Sequence, residues 1–282
     1  MKIRMNPVSP KYSYAQTDHG QMHLRIWGDQ KGINIVCLHP MPYSGSYYDT
    51  FCQQLVSSTA YSAVALDFIG YGRSAMINKP ISIKEHAQAS VTCLEELIST
   101  GIISDDITLM GFHTGSAVVN EIAILYPEIA HQIVFVTYPY FEKNQRAELL
   151  QTLNKDPIGE DLNSLQKSWD FTVSKRPPGI PFNRAFSNFI EQLQNADKNW
   201  FGFDSMFNYP SEKRLPLIEH PVLMINDNSS LTEATIKANE MIKNSVYEEL
   251  TDAKGGVFEL NVDQIIKHVC VFLQSQCNQL IS

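Results

Sequence analysis

No apolar run in the sequence approaches the length of a membrane-spanning helix; runs such as Ile133–Val136 have the length of a strand. The N-terminal MKIRMNPVSPKYSY contains no apolar stretch of the kind that directs secretion, which predicts neither a signal peptide nor a membrane anchor. Basic residues are few and scattered, and 22 Lys and Arg against 30 Asp and Glu leave a net charge of −8. Without a basic cluster to track phosphates, nucleic acid and anionic membranes are poor partners. The cysteines Cys37, Cys52, Cys93, Cys270 and Cys277 are odd in number and widely spaced, which argues against a disulfide framework or a zinc site and for a cytoplasmic setting. Gly-rich phosphate loops, metal-ligand clusters and dinucleotide fingerprints are missing as well, so neither cofactor nor metal is expected.

What is present is the material of an ordinary globular core: 44% hydrophobic and 18% charged residues in 282. Apolar runs of strand length alternate with segments of helical period, the pattern of a mostly parallel sheet flanked by helices. Strands are predicted at Ser13–Thr17, Met22–Trp27, Ile33–Leu38, Ser62–Leu66, Ile107–Met110, Ile133–Thr137, Val222–Ile225 and Val246–Leu250. Asp18-His19-Gly20 reads as a hairpin turn, so the sheet is expected to open with an antiparallel pair. Helices are predicted at Tyr47–Ser57, Ile83–Thr100, Thr114–Tyr126, Thr232–Ile242 and Val262–Gln274. The aromatic, irregular stretch 139–219 is too long for a structureless loop and predicts a helical cap inserted after the sixth strand, with 1–138 and 220–282 as the core.

The most informative segment is Gly111-Phe112-His113-Thr114-Gly115, where a strand runs through G-x-H-x-G into a helix. Its outline is that of a nucleophile elbow, with small residues where the turn is sharpest. Leu38-His39-Pro40-Met41-Pro42 after the third strand, Asp67-Phe68-Ile69-Gly70-Tyr71-Gly72-Arg73-Ser74 after the fourth and His220-Pro221-Val222 after the cap follow in order. On these landmarks the chain resembles the α/β-hydrolase superfamily. The resemblance implies an eight-stranded, mostly parallel sheet with a helical cap.

It also implies a Ser-His-Asp triad, from which the sequence departs. His113 stands at the nucleophile position, Ser230 at the place counted for the acid with Asp227 displaced toward the strand, and Gly256 where the family has its His. Serine-esterase chemistry needs a hydroxyl, an imidazole and an orienting carboxylate, and is therefore not expected. The family's oxyanion hole maps onto the N–H groups of Met41 and Thr114. Two readings stay open. In one, His113 is an acid–base catalyst oriented by Asp227 or Glu142, acting on a small hydrophobic carbonyl compound held at Met41 and Thr114. In the other, the chain is an inactive pseudo-hydrolase that binds a small hydrophobic ligand. His39, Tyr43, Ser44, Trp169 and Trp200 are the expected substrate-binding residues, with His39 also bracing the oxyanion loop. Asp67 is expected to order its turn, and a homo-oligomer is compatible with the sequence.

Overall fold

The computed structural model describes residues 8–155, 162–253 and 255–281, with side chains to residue 276. Residues 1–7, part of the N-terminal stretch read as lacking a signal peptide, and the side chain of Cys277 lie outside the described residues. Eight strands, β1 (Lys11–Thr17), β2 (Gly20–Trp27), β3 (Asn34–Leu38), β4 (Ser62–Leu66), β5 (Ile107–Phe112), β6 (Gln132–Val136), β7 (Val222–Asn226) and β8 (Ser245–Glu249), form one sheet in the order β1-β2-β4-β3-β5-β6-β7-β8. The β1–β2 and β2–β4 pairs are antiparallel, and the remaining pairs are parallel.

Every residue of β3 to β7 is buried, because helices cover both faces. Alternate side chains go to opposite sides. Val36, Val64, Leu109, Phe135 and Met224 enter one core with the helices α2 (Ile83–Ser99), α3 (Thr114–Leu125) and α9 (Thr232–Glu240). Ile35, Ala63, Met110, Val134 and Leu223 enter the other, against α1 (Asp49–Ser58), α10 (Val257–Leu260) and α11 (Val262–Ile281). The edge strands β1 and β8 are partly exposed. A capping box closes the start of α2: the Ser82 hydroxyl accepts from the Glu85 N–H while the Glu85 carboxylate accepts from the Ser82 N–H.

The expected elements all form, with local differences. The segment predicted to begin a helix at Tyr47 opens as a 3₁₀ turn, Gly45–Tyr48, whose Ser46 N–H is capped by the Ser44 hydroxyl. β6 stops one residue early because Thr137 turns to φ 53°. Between β6 and β7 the chain carries α4 (Lys143–Thr152), α5 (Leu162–Trp169), α6 (Phe182–Gln194), α7 (Phe201–Phe207) and α8 (Ser211–Arg214).

That insertion is pinned to the sheet's loops by polar contacts. Glu191 on α6 accepts from the hydroxyls of Ser44 (2.9 Å) and Ser46 (2.6 Å), and Gln192 donates to the Tyr43 hydroxyl (2.8 Å). Farther along, Arg214 and Tyr209 both donate to Glu121 of α3. Among the described residues no helix is long and apolar enough to cross a membrane.

Candidate active site

The corner between β5 and α3 is built around two glycines. A Cβ on Gly115 would lie 2.0 Å from the Leu38 carbonyl oxygen, and one on Gly111 would lie 2.6 Å from the Gly115 carbonyl. Strand β3 and the first turn of α3 therefore approach as closely as bare backbone allows. Between them His113 adopts φ 49°, ψ −120°, a conformation that L side chains rarely take. It is held there by its N–H donating to the Thr137 carbonyl (3.2 Å) and by its carbonyl accepting from Ser116 N–H (2.8 Å).

The half-buried His113 imidazole lines a cavity of about 700 Å³ between the C-terminal ends of the strands and the insertion. Its ring leans on Phe112, with centroids 4.0 Å apart, and its Nε2 is buried without a hydrogen-bond partner. Burial lowers its pKa to about 4, against the opposing pull of the Asp227 carboxylate. At neutral pH the ring is uncharged.

Asp227, just beyond β7, lines the same cavity and is 3% exposed. Its Oδ1 accepts from the Ser229 N–H (3.1 Å), and no hydrogen bond joins it to His113. Ser230 and Gly256 also border the cavity. Gly256 has φ +67°, and a Cβ there would fall 2.4 Å from the Ile180 Cδ1 contributed by the insertion. Among the described residues His113 is the one imidazole facing this space.

Behind the floor, Asp67 ties β2 and the Gly45 turn to its own turn. Its Oδ1 accepts from Arg25 Nη1 (2.7 Å) and Gly45 N–H (2.8 Å), its Oδ2 from His23 Nδ1 (2.8 Å) and Arg73 N–H (2.9 Å). Burial pushes this carboxyl up, but the His23 bond, the Arg25 guanidinium and the Arg73 amide together hold it at about 2. Asp67 thus orders its turn, as the sequence suggests.

No family model matches the chain. A mouse protein described as "serine hydrolase-like" is 24% identical over 144 residues, which cover 51% of this chain and 45% of that one, so the chain spans about half the length of this relative. Solved structures align over most of the chain. An esterase from Thermogutta terrifontis superposes with a TM-score of 0.72 at 13% identity, over 94% of this chain and 98% of that one. The enol-lactonase of Burkholderia xenovorans gives 0.72 at 16% over 93% and 100%, and an epoxide hydrolase of Vigna radiata 0.69 at 14% over 95% and 98%. The chain has the α/β-hydrolase fold.

Within this α/β-hydrolase fold the structure brings His113, Thr114, Met41, Tyr43 and Asp227 to one cavity and corrects several of the other expectations. The Met41 N–H is not free for a ligand: it donates to the Thr114 hydroxyl at 2.7 Å. His39 does not face the cavity. It is fully buried, its Nε2 accepting from the Phe68 N–H and its Nδ1 donating to the Pro40 carbonyl, and burial lowers its pKa to about 4. That neutral tautomer braces the loop after β3.

Ser44 is likewise occupied in holding Glu191 and does not line the cavity. Trp169 packs into the insertion's own aromatic cluster, 5.2 Å from Phe189 and 6.1 Å from Phe186, and Trp200 packs on Phe201 with Lys155 over its ring. Neither tryptophan reaches the cavity, because each faces a neighbour within the insertion. Glu142 is too far out to orient His113; it caps α4 and pairs with Lys237.

Several lining residues carry no sequence signal. Tyr47, Met206 and Phe207 supply apolar wall, while Arg176 and Arg184 enter from the insertion. The aromatic richness of the insertion hints at such a wall, to which Phe171, Phe203 and Phe207 contribute and Trp169 and Trp200 do not.

Proposed function

We propose that this chain is a ligand-binding protein of the α/β-hydrolase fold, a pseudo-hydrolase that keeps the cavity under a helical cap and has given up the triad. The observation that carries the reading is the Met41 N–H bond to the Thr114 hydroxyl, which occupies one of the two N–H groups that the resemblance assigns to an oxyanion hole. Three further features support it. His113 takes the nucleophile's place with no second imidazole lining the cavity among the described residues, Gly256 standing where the family's base would be. With a pKa of about 4, His113 is a weak base at neutral pH. The elbow glycines, which would otherwise argue for retained catalysis, are required by the packing of β3 against α3.

The orphaned His113 Nε2 calls for a polar group on an otherwise apolar ligand. Small hydrophobic carbonyl compounds are accordingly the class to test, by thermal-shift titration with product analysis of the same mixtures. Saturable stabilisation with unchanged compound is the expected result. Conversion of the bound compound, abolished in His113→Gln, would overturn it.

That outcome would favour a second reading, His113 as an acid–base catalyst with Asp227 as its carboxylate. The raising influence of Asp227 on the imidazole supports it, and it requires turnover to fall in Asp227→Asn as well. We also place the protein in a reducing, cytoplasmic setting, consistent with the free thiols of Cys37, Cys52, Cys93 and Cys270.

A further inference from the structure

Two guanidinium groups reach the cavity from the insertion, and their charges are balanced differently. Arg184 is neutralised: its Nε lies 2.7 Å from Glu259 Oε1, and its guanidinium rests over the Tyr47 ring. Arg176 has no such partner among the described residues. Its Nε donates to the Ile180 carbonyl (2.9 Å), its Nη1 to the Val173 carbonyl (2.8 Å), and its guanidinium lies 6.0 Å from the Phe182 ring centroid. These contacts fix the group in place without cancelling its charge. Nη2 and the second Nη1 hydrogen are left for an acceptor.

Resting on the ligand-binding reading, we infer that the ligand is an amphipathic monocarboxylate whose carboxylate pairs with Arg176 while its apolar body fills the cavity. A preorganised guanidinium presents parallel donors that match a carboxylate's two oxygens. The apolar body has its place between Met41, Tyr47, Phe112, Phe141, Met206 and Phe207. A single negative charge suits the site better than a dianion, since the carboxylates of Asp227 and Glu259 border the same cavity and, among the described residues, Arg176 is the one cation there without a carboxylate partner. Arg176 adjoins Pro177, whose Cγ stands 3.1 Å from where a Cβ on Gly255 would be, so the carboxylate's place borders the turn before α10.

The test compares octanoate, laurate and palmitate with their methyl esters by calorimetric titration, on the intact protein and on Arg176→Gln and Arg176→Lys. The best acid is expected to bind about tenfold or more tightly than its ester. Arg176→Gln should lose that margin while leaving ester affinity within about twofold, and Arg176→Lys should restore part of it. Retained ester binding also certifies that the variants fold. Equal affinity of acid and ester in the intact protein would overturn the carboxylate inference and leave the ligand-binding reading standing. So would an Arg176→Gln variant that keeps the margin, or tighter binding of dodecyl phosphate than of laurate. Failure of every acid and every ester to bind would overturn both.

Discussion

The Met41 N–H donates to the Thr114 hydroxyl at 2.7 Å, so this amide is already satisfied within the protein. Thr114 is 7% exposed, and deleting its hydroxyl would leave a buried N–H without an acceptor. Thr114→Val is therefore expected to cost about 1–3 kcal/mol of stability. Thr114→Ser, which keeps the acceptor, should stay close to the parent. Urea unfolding of both variants checks this, and a Thr114→Val variant as stable as the parent would show that the bond contributes nothing.

The imidazoles make stability fall on the acid side. Burial lowers His113 and His39 to about 4 and His86 to about 3, all below the 6.5 of an unfolded histidine. Between pH 6.5 and 4 the unfolded chain therefore binds more protons than the folded one. The stabilisation these groups give is complete above 6.5 and drains away as the pH drops. Asp49 works the other way, since burial raises it to about 6 and the folded state takes up a proton there first. Three histidines outweigh one carboxyl, so the melting temperature should decline from pH 6.5 to 4. His86→Gln should flatten that decline by about one proton's worth of slope. A melting temperature that stays level or rises over this range would contradict the assignment.

Glycine substitutions separate close approach from backbone conformation. A Cβ on Gly115 would collide with the Leu38 carbonyl oxygen at 2.0 Å, and that oxygen belongs to a central strand with no room to retreat. Gly115→Ala is expected to lose more than about 4 kcal/mol or to fail to fold. Gly101 has φ +69° but nothing within 4 Å of its would-be Cβ, so Gly101→Ala should cost only about 1–2 kcal/mol, the penalty of the left-handed backbone. Soluble yield and chemical denaturation distinguish the two.

The corner glycines, the Asp67 turn and the succession of strands and helices were legible in the sequence because each follows from a local rule: small residues where backbones touch, and short continuous apolar runs where both sheet faces are covered. The inward or outward direction of Trp169 and Trp200 was not. Both lie in an insertion whose facing depends on how α6 docks through Glu191 and Gln192, and composition does not encode that. The Thr114 contact also escapes sequence reasoning, since it depends on one side-chain rotamer meeting an amide 73 positions away. Arg176 looks like an ordinary charge in a Pro-rich connector until its two carbonyl partners and its missing carboxylate are seen together.

Asp67 offers the sharpest stability test, because its two oxygens receive four donors and neither oxygen is exposed. In Asp67→Asn one of those oxygens becomes an NH₂ group that must face donors, either the His23 ring nitrogen and Arg73 N–H or Arg25 and Gly45 N–H. Arg25, 7% exposed, would keep only a 3.5 Å approach to Asp49. Removing one partner from a buried charge pair costs about 3–5 kcal/mol. Because the folded carboxyl sits at about 2, below its ordinary 3.8, its stabilising contribution is present above pH 3.8 and disappears as the pH falls toward 2. Asp67→Asn should therefore be much less stable than the parent at pH 7, with the difference narrowing below pH 3.8. The exposed Asp105→Asn, as a control, should stay within about 0.5 kcal/mol. Guanidinium unfolding at pH 7 and pH 3 measures both, and a difference that persists unchanged at pH 3 would show that the lost stability comes from disturbed packing and not from the carboxylate's charge.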